Sequence, residues 1–185
     1  MQDHTHPIFL LAGAPAVGKS TTSRALAARF PQSIHLPVDD FRTMVVSGLV
    51  LPSDLPSHDL LQQITLARTC AIHVAFTYCS VGFMVVIDDF FDPNFHLDYR
   101  PLLTHPNVHR VVLYPDQAAA HQRNVQRSGV SDTSAYIDIG IRIVYDQIRA
   151  SMPQLVEDNW HILDTTTLSV EQAVTTILQQ TAPGG

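Results

Sequence analysis

Short apolar runs alternate along this chain with longer segments whose apolar residues return every three or four positions. Pro7 to Ala12 reads as a fully buried strand, and residues 18–30 as a helix with Leu26, Ala27 and Phe30 inward. Ser33 to Val38 is a second strand, closed by a polar turn at Asp39-Asp40, and Pro37 within it predicts a sheet edge. Residues 41–57 are mixed and broken by Pro52 and Pro56. A long helix runs from His58 to about Ser80, with Leu61, Ile64, Ala67, Ala71, Val74 and Tyr78 on one face, and Gly82 ends it. Phe83 to Ile87 is a third strand, and 89–106 is a loop bearing prolines and aromatics. His109 to Tyr114 is a strand, Asp116 to Arg127 and Ser131 to Ser151 are helices, Trp160 to Leu163 is the last strand, and Val170 to Gln180 the last helix. The closing residues 182–185 should fray. Alternating strands and helices of this kind predict a parallel sheet with helices on both faces. Such sheets bind ligands at the carboxyl ends of their strands.

Composition narrows the picture. A chain of 185 residues, 45% hydrophobic, predicts one domain, residues 1–185, with a real core. No apolar run approaches the ~18–20 residues of a bilayer span. The first apolar strip has no basic region before it and leads into a glycine turn, so no export signal is expected and a cytoplasmic protein is. A net charge of −6 argues against broad binding to nucleic acid or anionic membranes. Cys70 and Cys79 share one predicted helix at a separation of about 13 Å, too far for a disulfide. Both read as buried free thiols. Ten of the eleven cations are arginine, and the one lysine is Lys19.

That lysine sits in Gly13-Ala-Pro-Ala-Val-Gly18-Lys19-Ser20, a full G-x-x-x-x-G-K-[ST] pattern between a strand and a helix. Glycines let successive N–H groups wrap a phosphate chain at a helix N-terminus. The nucleotide-binding set is therefore Gly13, Ala14, Pro15, Ala16, Val17, Gly18, Lys19, Ser20 and Thr21. Lys19 offers charge to the β/γ-phosphates and Ser20 a hydroxyl to Mg²⁺. The second strand ends in Val38-Asp39-Asp40-Phe41-Arg42. One acid there can take the proton of an attacking hydroxyl, and the other can cap the next helix. Asp39 is the preferred base, with Arg42 holding a substrate or phosphate oxygen. Strand alternation would turn Asp39 and Asp40 opposite ways. The third strand ends in Asp88-Asp89. Asp88 is the candidate to orient Mg²⁺, and both acids are candidates for the substrate side. Phe90, Phe91, Asp92 and Tyr99 follow, either walling an acceptor pocket or packing as loop core. Arg123 and Arg127 lie one helical turn apart before a Gly-containing loop. They could form a lid, about residues 121–133, over the transferring phosphoryl group, or be a solvated basic face. Asp164 and Thr165 follow the last strand, where topology would put an adenine.

Taken together, these segments resemble the small P-loop kinases, and among them the chloramphenicol phosphotransferase-like and zeta-toxin-like groups. Gluconate, shikimate and adenylylsulfate kinases are similar at a greater distance. The resemblance implies a three-layer α/β/α P-loop NTPase fold with a five-stranded parallel sheet in the order 2-3-1-4-5. It implies ATP and Mg²⁺ as cofactors, a small-molecule hydroxyl acceptor, Asp39 as general base, and Lys19 and Arg127 as catalytic charges. A kinase for a nucleotide sugar or nucleic-acid end is one alternative, although the negative charge opposes a polynucleotide. A nucleotide switch or ATPase is another. A guanine-binding Asn-Lys-x-Asp motif is impossible with no lysine outside the loop.

Overall fold

The computed structural model describes residues 6–51 and 56–181, so Pro52 and the tail 182–185 lie outside the described residues. Five parallel strands form one sheet, β1 Ile8–Gly13, β2 Ser33–Pro37, β3 Met84–Phe90, β4 Val108–Leu113 and β5 His161–Leu163. Their order is β2-β3-β1-β4-β5, as the resemblance implies. Helices cover the faces: α1 Lys19–Ala27, α2 Val38–Thr43, α3 His58–Ser80, α4 Phe95–Asp98, α5 Arg100–Leu103, α6 Gln117–Ser128, α7 Asp132–Glu157 and α8 Val170–Thr181. Every residue of the central strand β1 is buried, which is why it reads as an unbroken apolar run. β2 pairs only with β3, so Pro37 does sit on an edge strand. Among the described residues, no helix is long and apolar enough to cross a membrane.

Four boundaries differ from the sequence expectation for physical reasons. β2 stops at Pro37, which is the N-cap of α2, so Asp39 and Asp40 lie in the first turn of a helix. β3 runs on through Phe90 because both of its carboxylates find partners inside the fold. The predicted loop 89–106 holds α4 and α5, and its Phe91, Phe95, Tyr99 and Leu102 are fully buried. These rings are core, not an open acceptor wall. α7 extends past Ser151 to Glu157 with Pro153 inside it. The inward face of α3 is also rotated from expectation. Ile64, Ala67 and Ala71 are buried, but Leu61 and Tyr78 are exposed and Arg68 takes a place on the buried stripe. Cys79 is buried and donates to the His6 carbonyl, whereas Cys70 is exposed, contrary to its reading as a buried thiol.

Gly13 joins β1 to the loop at a point of close backbone approach. A Cβ there would stand 2.7 Å from the Leu113 carbonyl oxygen and 3.0 Å from Val17 Cγ2, at a φ of +157°. Backbone of β4 cannot move aside as a flexible side chain can. Gly13→Ala is therefore expected to lower unfolding free energy by roughly 1–3 kcal/mol, as overpacking does. An unchanged urea midpoint would contradict this.

Candidate active site

The loop after β1 turns through Ala16 and Gly18, both at positive φ, and Gly18 is the N-cap of α1. Gly18 supplies the left-handed turn that aims the first N–H groups of α1 into the loop. Lys19 is half-buried, and its Nζ donates to the Ala14 carbonyl at 2.8 Å. Burial lowers its pKa, while the charges of Asp88, Asp39 and Asp89 pull it back up. An ammonium held this way, in the loop at the helix N-terminus, is a ready counter-charge for phosphate oxygens.

Two strands bring carboxylates to the same edge. In register, Asp88 stands beside Leu11 and Pro37, and Asp89 beside Ala12, one step before the loop begins. Asp88 Oδ1 accepts from Ser20 Oγ at 2.9 Å, and its Oδ2 is engaged by His35 Nε2. A hydroxyl and a carboxylate oxygen in contact at a phosphate loop suit a hard cation, so Ser20 and Asp88 fit Mg²⁺.

Asp39 and Asp40 are both exposed. They do not alternate across a strand, and Asp40 is not the helix cap, because Pro37 holds that position. Successive helical residues differ by about 100°. Asp39 is the one whose charge reaches Lys19 and Asp89. The Asp40 carbonyl accepts from Thr43 Oγ1 at 2.9 Å and from the Met44 N–H at 3.1 Å. Arg42 turns to its own loop, with Nη2 donating to the Val50 carbonyl at 2.9 Å, and Gln63 braces that loop at Gly48 and Val50.

Asp89 does not face a substrate. It is 2% exposed and accepts from Arg68 Nε at 2.7 Å and Tyr99 Oη at 3.1 Å. Arg68 has a fully buried side chain that also meets Asp92 and Asp98, each at 2.8 Å. The rings of Phe90, Phe95 and Tyr99 surround its guanidinium at 5.1, 5.1 and 5.7 Å. Burial opposes charge on Arg68, but Asp89 and Asp92 overcome it and hold the guanidinium protonated. Burial also pushes Asp89 up to about 6, with Arg68 pulling it down. This cluster fixes the segment after β3. Its sequence signal, an arginine on the apolar stripe of α3, is visible only once the face of α3 is known.

Arg123 does not ride on a free lid. Its Nη1 donates to the Val17 carbonyl at 3.3 Å and its Nη2 to the Thr165 carbonyl at 2.8 Å, tying the phosphate loop to the turn after β5. Arg127 is exposed, and its charge reaches Lys19. The turn between α6 and α7 is short and anchored. Ser131 and Ser134 form a capping box, and buried Asn124 donates to the Ser134 carbonyl and Asp138. Asp164 Oδ1 accepts from the Thr166 N–H and hydroxyl, which lowers its pKa, and Thr165 is buried. Sequence reasoning missed His35 and Arg68, because each acts through a partner far along the chain.

A family profile described as an AAA domain matches residues 8–155. Among curated proteins, no sequence matches. Solved structures are similar over nearly the whole chain. The tunicamycin resistance protein of Deinococcus radiodurans has a TM-score of 0.64 at 16% identity, covering 95% of each chain. A gluconokinase from Sinorhizobium meliloti 1021 has a TM-score of 0.64 at 13% identity, over 96% of this chain and 92% of that one. Shikimate kinase from Acinetobacter baumannii, in complex with shikimate, gives 0.61 at 15% identity, over 95% and 92%. At these identities the likeness is one of fold, the three-layer P-loop arrangement.

Proposed function

The chain belongs to the AAA domain family, and from that premise we propose that it is an ATP-dependent kinase for a small-molecule hydroxyl. The observation that carries this reading is the meeting of Lys19, the Ser20–Asp88 contact and the charge of Asp39 at one end of the sheet. On this reading residues 1–185 act as one domain, and the backbone N–H groups of residues 13–21, Pro15 excepted, wrap the phosphates of ATP. Mg²⁺, held through Ser20 and Asp88, would supply positive charge to the phosphate oxygens. The acceptor oxygen forms a bond to the γ-phosphorus as the bond to the β,γ-bridging oxygen breaks. Asp39 takes the hydroxyl proton, and ADP leaves with the electron pair of the broken bond. Lys19 and exposed Arg127 balance the charge on the transferring group. Arg123 shapes the nucleotide site by joining Val17 to Thr165, beside Asp164, where the base would lie.

Charge supports an acceptor class. Asp39 and Asp40 are exposed beside the loop, and Asp88 stands on the neighbouring strand. Arg68 is occupied by Asp89, Asp92 and Asp98, and Arg42 donates to the Val50 carbonyl. Neutral or amine-bearing hydroxyl compounds suit this side of the cleft better than acids. The chloramphenicol phosphotransferase-like resemblance fits a hydroxyl acceptor and selects none.

Asp39→Asn is expected to keep ATP binding and melting behaviour while transfer falls by about 10²-fold or more, since an amide cannot take the proton. Asp40→Asn should transfer at close to the normal rate. Single-turnover transfer to an acceptor found by screening checks both. A loss in Asp40→Asn with Asp39→Asn spared would reverse the roles, and no loss in either would remove the base from the mechanism.

A further inference from the structure

Asp88 has a second partner that the P-loop pattern does not call for. Its side chain is 6% exposed and the His35 ring 12% exposed, and the two meet between β2 and β3. The two carboxylate oxygens are divided between elements. Oδ1 faces Ser20 at the start of α1, and Oδ2 faces His35 Nε2 on the edge strand. A carboxylate oxygen only accepts, so His35 is held with its proton on Nε2. Asp39 and Asp89 add negative charge nearby, both raising the pKa of Lys19 alongside Asp88. A carboxylate in such company turns toward whatever donor it finds unless a fixed one sets its plane.

We propose that His35 is a positioning residue that fixes the Asp88 carboxylate plane so that Oδ1 faces Ser20 and the Mg²⁺ of a bound nucleotide. The proposal rests on the kinase reading above. Partners behind a metal-site carboxylate orient it, and removing one costs about 10–100-fold in metal affinity. His35 comes from an edge strand that carries no other part of the phosphate loop, so its loss leaves residues 13–20 in place.

The test uses Mn²⁺ as the probe, followed by its paramagnetic resonance in the complex of the full chain with ADP. ADP affinity in excess chelator is measured separately by calorimetry. His35→Leu removes the donor, His35→Asn retracts it beyond reach, and His35→Gln offers an amide N–H of similar length. His35→Leu and His35→Asn are expected to weaken Mn²⁺ about 10–100-fold in the ADP complex and leave metal-free ADP affinity unchanged. His35→Gln should recover most of the loss. If His35→Leu does not fold, His35→Asn carries the comparison. Wild-type Mn²⁺ affinity in a folded loss variant would overturn the proposal. So would an equal fall in metal-free ADP affinity, which would make His35 a support of the loop as a whole. Absence of ADP binding in the unaltered chain would instead contradict the kinase reading.

Discussion

Lys19→Ala is expected to lower γ-phosphoryl transfer by about 10²-fold or more, with the protein still folded. Lys19 is the chain's only lysine, and no other lysine can move into its place. Among the described residues, the hydrogen bond its side chain makes runs back to the Ala14 carbonyl, five residues before it, so alanine there breaks no hydrogen bond between distant elements. Burial holds its pKa below the ordinary lysine value. For a lysine, a lowered folded pKa means that folding disfavours the charged form. That cost is present throughout the neutral range and disappears only as pH rises past the unfolded value. Alanine therefore should leave the melting midpoint unchanged or raise it, while transfer collapses. Rapid-quench transfer beside thermal melts checks both halves. Normal transfer in Lys19→Ala would remove the loop from the mechanism.

Arg68→Met is expected to have the largest effect on stability, about 3–5 kcal/mol, because it breaks a buried ion cluster by removing one partner. Asp89, Asp92 and Asp98 would lose their shared counter-charge at once. Asp89 already sits at about 6 through burial, and without Arg68 it rises further. A carboxyl whose folded pKa exceeds its unfolded value gains stability as pH falls through that range. The gap between Arg68→Met and the unaltered protein should therefore be wider at pH 8 than at pH 6. Urea unfolding at the two pH values reads this directly. A variant as stable as the parent at pH 8 would show that the cluster contributes nothing net.

The difference between these two residues explains what could be read from sequence. Lys19 belongs to a local pattern, in which glycines, lysine and serine fix both backbone shape and chemistry within eight positions. The strands were legible for a related reason, since β1 and the apolar part of β3 are buried on both faces and carry no polar residue. The strand order came from resemblance, because no local signal sets which strands are neighbours. Arg68 gave no local signal, because its three acids lie 21 to 30 residues away. His35 was hidden likewise, since its meaning depends on the register that sets Pro37 beside Asp88. Asp39 and Asp40 were expected at the end of β2 and instead lie in the first turn of α2, because Pro37 ends the strand and caps a helix that starts at Val38. Arg123 matched a lid pattern, yet its donors serve the carbonyls of Val17 and Thr165, which no spacing rule connects.

In a kinase for small hydroxyl compounds the γ-phosphoryl group passes to a hydroxyl and not to water. Phosphorus NMR of the protein with Mg²⁺-ATP and pooled neutral, amine-bearing and acidic hydroxyl compounds tests it in one measurement. ADP and a new phosphate monoester are expected in equal amounts, the monoester formed from a neutral or amine-bearing compound. ADP accompanied only by orthophosphate, at a rate indifferent to every compound added, would contradict it.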